Sequence, residues 1–168
     1  MKPLLLAILL AANAPAVIAG TSTATEQSPS LAWLVGEWAG SGRLFGNASQ
    51  VTLSVAAAPD GAATSLLYRA QTKAAPGRPA IMFEGKANYR TMAKGRVEGA
   101  WRDSSGSDYA IGGQIKGMTM TTLWGHPIRE IGRSTYVRGA DDTLTVTDAV
   151  MTTEGHWRIF ASATYQRK

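Results

Sequence analysis

The stretch VEGAWRDSSGSDYAIGGQIKGMTMTTLW, Val97 to Trp124, decides the fold. Apolar and small or polar residues alternate along it with the period of two expected of a β-strand with one buried face. The alternation breaks only at Ser104-Ser-Gly106 and Lys116-Gly117, both turn formers. Directly opposed residues on paired strands must point to the same face, so the register can be tested. A turn at Ser104 to Gly106 sets Trp101 opposite Tyr109, Gly99 opposite Ile111 and Val97 opposite Gly113. A two-residue turn at Lys116-Gly117 sets Ile115 opposite Met118, Gly113 opposite Met120, Ile111 opposite Thr122 and Tyr109 opposite Trp124. The apolar faces coincide along both hairpins.

The same punctuation runs outward in both directions, at Pro59-Asp60-Gly61, Pro76-Gly77, Lys94-Gly95, Gly139-Ala-Asp-Asp142 and Glu154-Gly155. Almost no window keeps helical spacing for the ten or more residues a helix needs. The expectation is an all-β chain, a single antiparallel up-and-down β-barrel of about 8–10 strands. Ser30 to Val35 is expected to form one short N-terminal helical turn that plugs a barrel mouth. Reading Gly139 to Asp142 as a four-residue turn pairs Val137 with Leu144, Thr135 with Val146, Arg133 with Asp148 and Ile131 with Val150. The last strand then adds Trp157, Ile159, Ala161 and Ala163 to the inward face. Arg133 and Asp148 thereby meet on an otherwise apolar face, where a cross-strand ion pair is expected to fix register or neutralise a wet cavity. In the alternative reading, Arg133 and Arg129 present cationic donors to an acidic group on a ligand.

Lys2, the apolar Leu4 to Leu10 and the small-residue pattern Val17-Ile-Ala19 read as a signal peptide over residues 1–19. Asn13 and Pro15 interrupt the apolar run before the roughly 20 residues that cross a bilayer. The chain is therefore expected to be exported, periplasmic or secreted, without stable membrane insertion after cleavage. Residues 20–30 are small and polar and read as a flexible tether, leaving 31–168 as the barrel domain. A chain of this size buries roughly 68–70% of its unfolded surface in one core. No cysteine is present, which removes disulfides and thiolate chemistry. Loss of Lys2 with the signal takes the net charge from +5 to +4; the basic residues form no cluster or aromatic-basic stripe, and no nucleic-acid partner is expected.

The segment Gly36-Glu-Trp38, preceded by an aromatic-aliphatic turn and followed by Gly40-Ser-Gly42, resembles the opening strand of the calycins. That superfamily includes lipocalins, fatty-acid-binding proteins and nitrobindin-like barrels. Trp101 to Gly106, Trp124-Gly125, Glu130 to Tyr136, Trp157 to Phe160 and Tyr165 to Arg167 are similar to exported bacterial proteins of this barrel type. The resemblance implies that Gly36 and Trp38 form the closed end under a basic residue near the end of the last strand, with Arg167 the best match by location and Arg158 the fallback. Nitrobindin-like proteins hold haem through a histidine. His126 and His156 are the histidines here, both in or beside expected turns, so neither haem nor another cofactor is expected.

No Gly-x-Ser-x-Gly elbow surrounds Ser104-Ser105, and Glu98 alternates outward, so no hydrolase triad or carboxylate pair is recognisable. Two histidines 30 residues apart, without cysteine or paired carboxylates, make no metal site. The reading is a non-catalytic barrel that binds a small apolar or amphipathic molecule, acidic ones included. Trp101, Trp124, Tyr109 and Met120 line its pocket, Arg133 and Arg129 serve as anchors, and Lys73 to Pro79 is the candidate portal loop. The rivals are a packed structural or protein-interaction barrel and an enzyme using Arg133, Asp148 and Tyr109. An open interior favours the binder; an inward carboxylate without a charge partner favours the enzyme.

Overall fold

The computed structural model describes residues 29–168 apart from positions 60, 62, 75, 78, 127 and 129. The signal at 1–19, all but the last two residues of the tether, and Arg129 lie outside these. Ten strands follow one another: β1 (Gly36–Leu44), β2 (Asn47–Ala57), β3 (Ala63–Thr72), β4 (Met82–Thr91), β5 (Arg96–Asp103), β6 (Asp108–Lys116), β7 (Thr119–His126), β8 (Glu130–Arg138), β9 (Thr143–Met151) and β10 (Trp157–Arg167). Each pairs antiparallel with its chain neighbours, and β1 pairs with β10, closing an up-and-down barrel without edges. A three-residue 3-10 turn, Ala93–Gly95, connects β4 to β5.

Alternation explains the core. Val51, Leu53 and Val55 of β2, Leu66 and Ala70 of β3, and Ala87 and Tyr89 of β4 point inward and are buried. Glu98 faces out, in a surface pair with Arg96 at 2.5 Å. The β5–β6 register has Trp101 opposite Tyr109, Gly99 opposite Ile111 and Val97 opposite Gly113, as the sequence predicts. In the next hairpin the turn falls on Gly117-Met118, so Ile115 faces Met120 and Ile111 faces Trp124. The inward face is the predicted one, slid by two residues, except that Met118, expected inward opposite Ile115, falls in the turn and is exposed.

Two parity changes overturn other expectations. The β8–β9 loop is one residue longer than a four-residue turn, pairing Arg138 with Leu144 and closed by the Gly139 N–H donating to the Thr143 carbonyl at 2.9 Å. Asp142 takes a left-handed φ of 63° within it, a conformation an aspartate tolerates. That extra residue inverts β8: Gly132, Ser134 and Tyr136 point inward, and Arg133 points outward opposite Ala149. Asp148 lies opposite Ser134, and the expected Arg133–Asp148 ion pair does not exist. Arg133 instead covers the outer face of Trp157 at 4.4 Å. In β10 a bulge between Ile159 and Ala161 adds a residue, so Ala161 and Ala163 face inward as expected while Trp157 and Ile159 face outward.

The plug forms where expected. The Leu34 N–H donates to the Leu31 carbonyl at 2.9 Å, and the resulting turn buries Leu31, Trp33 and Leu34 under one end of the barrel. Trp38 is completely buried beside it and donates its indole N–H to the Leu34 carbonyl at 2.9 Å. Arg167, its cross-strand partner, stacks on the Trp38 ring at 4.4 Å and donates to the Val35 carbonyl at 2.8 Å. Arg138 approaches the same indole at 5.7 Å and donates to the Trp33 carbonyl at 2.8 Å. Asp142 accepts from the Arg138 guanidinium and forms an ion pair with that of Arg167 at 3.5 Å.

Candidate functional site

An eight-stranded barrel is about as wide as its own side chains can fill, and diameter grows with strand number. Ten strands leave room, and a cavity of about 390 Å³ occupies the half of the barrel away from the Trp38 plug. At a share of about 30 Å³ each, it would hold on the order of a dozen waters. Phe45, Ser105, Glu130 and Arg158 surround its mouth, at the end where β1–β2, β5–β6, β7–β8 and β9–β10 connect.

The middle of the cavity is aromatic. Trp101, Trp124, Tyr109, Phe83 and Phe160 line it, with Tyr109 stacked on Trp124 at 5.5 Å and Phe160 edge-on to the same indole at 6.2 Å. The two indoles lie flat against the wall because the facing residues are glycines. A Cβ on Gly85 would overlap Trp101, and one on Gly132 would overlap Trp124. The glycines thus take up the indoles and leave the centre open. Trp101 is further held by Asp103, which accepts its N–H at 2.9 Å together with the backbone N–H groups of Ser105 and Ser107. Partial burial pushes the Asp103 carboxyl up, but the Ser105 hydroxyl, the Trp101 indole and those backbone donors outweigh it and hold the group below the usual carboxylate value.

Deeper in, the lining becomes polar. Thr122, Ser134 and Asp148 stand in one row across β7, β8 and β9. The Trp124 N–H donates to Ser134 Oγ at 3.0 Å, and the Ser134 hydroxyl donates to Asp148 Oδ1 at 2.5 Å. No cation among the described residues pairs with Asp148. Burial pushes its carboxyl up to about 6, against the opposing effect of the Ser134 hydrogen bond. Tyr68, Tyr89, Tyr136 and Tyr165 surround it on β3, β4, β8 and β10. Burial pushes Tyr89 up to about 12 despite the hydrogen bond it receives from Tyr136. Burial, and then neighbouring tyrosines and Asp148, raise Tyr136 and Tyr165; burial and Asp148 raise Tyr68. All four phenols stay neutral at physiological pH. Thr122 Oγ1 is buried without a hydrogen-bond partner among the described residues.

Three of the residues expected in the pocket, Trp101, Trp124 and Tyr109, line the cavity together. Met120 does not; it is fully buried beside Ile115 at the β6–β7 turn, with Tyr136 opposite. Arg133 lies outside the barrel. Ser134 and Tyr136 escaped the sequence reading because the β8 parity was inverted, whereas Thr122 and Asp148 face inward as expected. Large-small complementarity between Trp124 and the glycine opposite it in β8 is the signal that would have set that parity.

Among solved structures, the chain matches the crystal structure of Rv2717c from M. tuberculosis. The TM-score is 0.58 over 82% of this chain and 94% of that one, at 18% identity. The likeness is one of fold. No family model and no curated protein matches the sequence. No histidine lines the cavity among the described residues: His126 and His156 are exposed, and His126 Nδ1 accepts a local bond from the Ile128 N–H at 3.3 Å. The imidazole that the nitrobindin resemblance would require for haem therefore has no counterpart in this lining. Nor do three or more metal-ligating side chains converge among the described residues.

Proposed function

We propose that this chain is an exported, calycin-like carrier that holds a small apolar or amphipathic molecule inside its barrel without altering it. One observation carries the reading: a cavity of about 390 Å³, lined mainly by aromatic and aliphatic side chains, within a barrel sealed at its other end. Ligand sites are concave and mostly apolar, with few polar anchors and volumes of roughly 300–1,000 Å³. A packed interaction barrel would need a filled interior. The segment before residue 20 supports export, and the Gly36-Glu-Trp38 opening with Arg167 over the indole supports a calycin-like closed end.

A catalytic reading draws on a different observation, the inward carboxylate of Asp148 without a charge partner among the described residues. Elevated carboxylates in apolar cavities serve as general acids and bases. One experiment addresses both. The protein is purified from the exported fraction of its own host, weighed by native mass spectrometry, and extracted under denaturing conditions. An intact co-purifying molecule, recovered unchanged after incubation with fresh protein, supports the carrier; its conversion supports the enzyme. A protein that stays empty after exposure to a host metabolite extract overturns both.

A further inference from the structure

Resting on that carrier reading, we infer that the cavity selects amphiphiles with a cationic head, an amine or quaternary ammonium bound against Asp148 with its apolar body among the indoles. The charged groups lining the cavity, among the described residues, are three carboxylates (Asp103, Glu130 and Asp148) and the Arg158 guanidinium. A chain of net charge +5 therefore carries an interior of opposite sign. Asp103 is consumed by its own turn and by Trp101, and Glu130 and Arg158 stand at the mouth. Asp148 alone combines depth with an unclaimed oxygen: Oδ1 takes the Ser134 hydroxyl, and Oδ2 has no partner among the described residues.

The groups facing Asp148 are of one kind. Tyr68 from β3, Tyr89 from β4, Ser134 and Tyr136 from β8, and Tyr165 from β10 are neutral; Arg43 of β1 borders a small crevice behind Asp148, but its exposed guanidinium donates to the Gly46 carbonyl at 3.0 Å and forms no ion pair with the carboxylate. Aromatic rings beside an anion form an arrangement suited to ammonium groups, because ring quadrupoles attract cations. An acidic head would meet the reverse: like charge at the floor, with its cationic counterpart only at the mouth. The unpartnered Thr122 hydroxyl, one strand beyond Ser134, offers a further oxygen to an ammonium N–H.

The test titrates the purified full barrel domain with octylammonium, 1-octanol and octanoate, three probes with one chain and three head charges. Quenching of the cavity indoles and calorimetry report binding. At pH 7.5 octylammonium binds at least tenfold more tightly than octanol, and octanoate binds most weakly. Asp148→Asn, checked for folding by circular dichroism, abolishes the preference for octylammonium over octanol. Lowering the pH to about 5, where Asp148 is protonated and the amine is not yet affected, shrinks the preference in the wild type and leaves the variant alone. If octanol or octanoate binds as tightly as octylammonium, or the preference survives in Asp148→Asn, the cationic assignment is overturned while the carrier reading stands. If none of the three binds, both fall.

Discussion

Replacing Asp148 by asparagine is expected to make this protein more stable at neutral pH, an unusual result for a substitution inside a barrel. The carboxyl is raised from 3.8 to about 6 in the folded state, chiefly by burial. The folded chain thus holds this proton more tightly than the unfolded chain does. Below about pH 4 both states are protonated and Asp148 costs nothing. As pH climbs toward 6 the unfolded chain loses its proton first, so stability falls; above 6 both are ionised and the penalty is complete. A rise of about two units at 1.36 kcal/mol each gives roughly 3 kcal/mol. Water entering from the open mouth solvates part of the charge, so that figure is a ceiling and about 1–3 kcal/mol is the working range. Asparagine is close in shape to the neutral acid and does not titrate. Urea denaturation followed by tryptophan fluorescence should therefore show wild type and variant within about 0.5 kcal/mol of each other at pH 4. At pH 7.5 the variant should lead by about 1–3 kcal/mol, or roughly 2–4 °C in Tm per kcal/mol. All other carboxylates are common to both proteins and cancel. A gap that stays constant with pH, or a variant that is less stable at pH 7.5, would refute the reasoning and place Asp148 in water or against a cation.

The closed end and the register give further tests. Trp38→Ala should cost about 3–5 kcal/mol in chemical denaturation, because it empties a fully buried site under Arg167; a loss below about 1 kcal/mol would sink the closure assignment. Trp33→Phe should cost less than Trp38→Phe by about 1–2 kcal/mol, since the Trp33 N–H has no partner among the described residues while the Trp38 N–H satisfies the Leu34 carbonyl; the reverse order would contradict that pairing. Gly132→Ala should cost about 1–3 kcal/mol by overpacking against Trp124 and should change its near-UV circular dichroism; an unchanged spectrum would mean that the indole lies elsewhere. Arg133→Ala should lose no more than about 1 kcal/mol, the value of a half-exposed cation–π contact with Trp157, and should leave octylammonium binding intact; a binding defect would return Arg133 to the interior.

Apolar alternation made the barrel, its hairpin succession and the whole β5–β6 register legible, because each strand there is bounded by an unambiguous turn. It carried less information where a turn holds no glycine at the decisive position. Asp142, left-handed without being glycine, lengthens the β8–β9 loop by a residue that no apolar pattern marks, and a single residue inverts a strand. Trp157-Arg-Ile-Phe160 carries an aromatic residue on each parity, so the bulge that turns Trp157 outward leaves no trace in composition. Of the candidate site, the aromatic walls and the inward Thr122 and Asp148 could be read; Ser134 and the four tyrosines around them could not, because they come from four strands, one of them read in inverted parity. Arg138 escaped for a related reason: its position alternates inward, yet it sits at the barrel end, where its guanidinium reaches the Trp33 carbonyl and Asp142.

Asp148, half-buried deep in the cavity, is a carboxylate with neither a charge partner nor, on Oδ2, a hydrogen bond among the described residues, against the rule that charge inside a protein is paired. Its strand neighbours on the same face are Val146 and Val150, and Ala161 lies opposite on β10, so an aliphatic side chain would suit the position. The surroundings instead specify the carboxylate: Ser134 is buried and spends its proton on Oδ1, and Trp124 spends its N–H on Ser134, leaving Oδ2 without a partner among the described residues. An oriented, destabilising and unsatisfied group is what a binding site looks like before its ligand arrives, since the ligand supplies the missing partner. It follows that stability and selectivity should move in opposite directions in the same variant. Asp148→Asn should melt later and lose its preference for a cationic head, and bound octylammonium should raise the wild-type Tm more than that of the variant, in line with its tighter binding. A variant that gained stability yet kept the preference would separate the two, and the anion would then owe its place in the barrel to something other than the ligand.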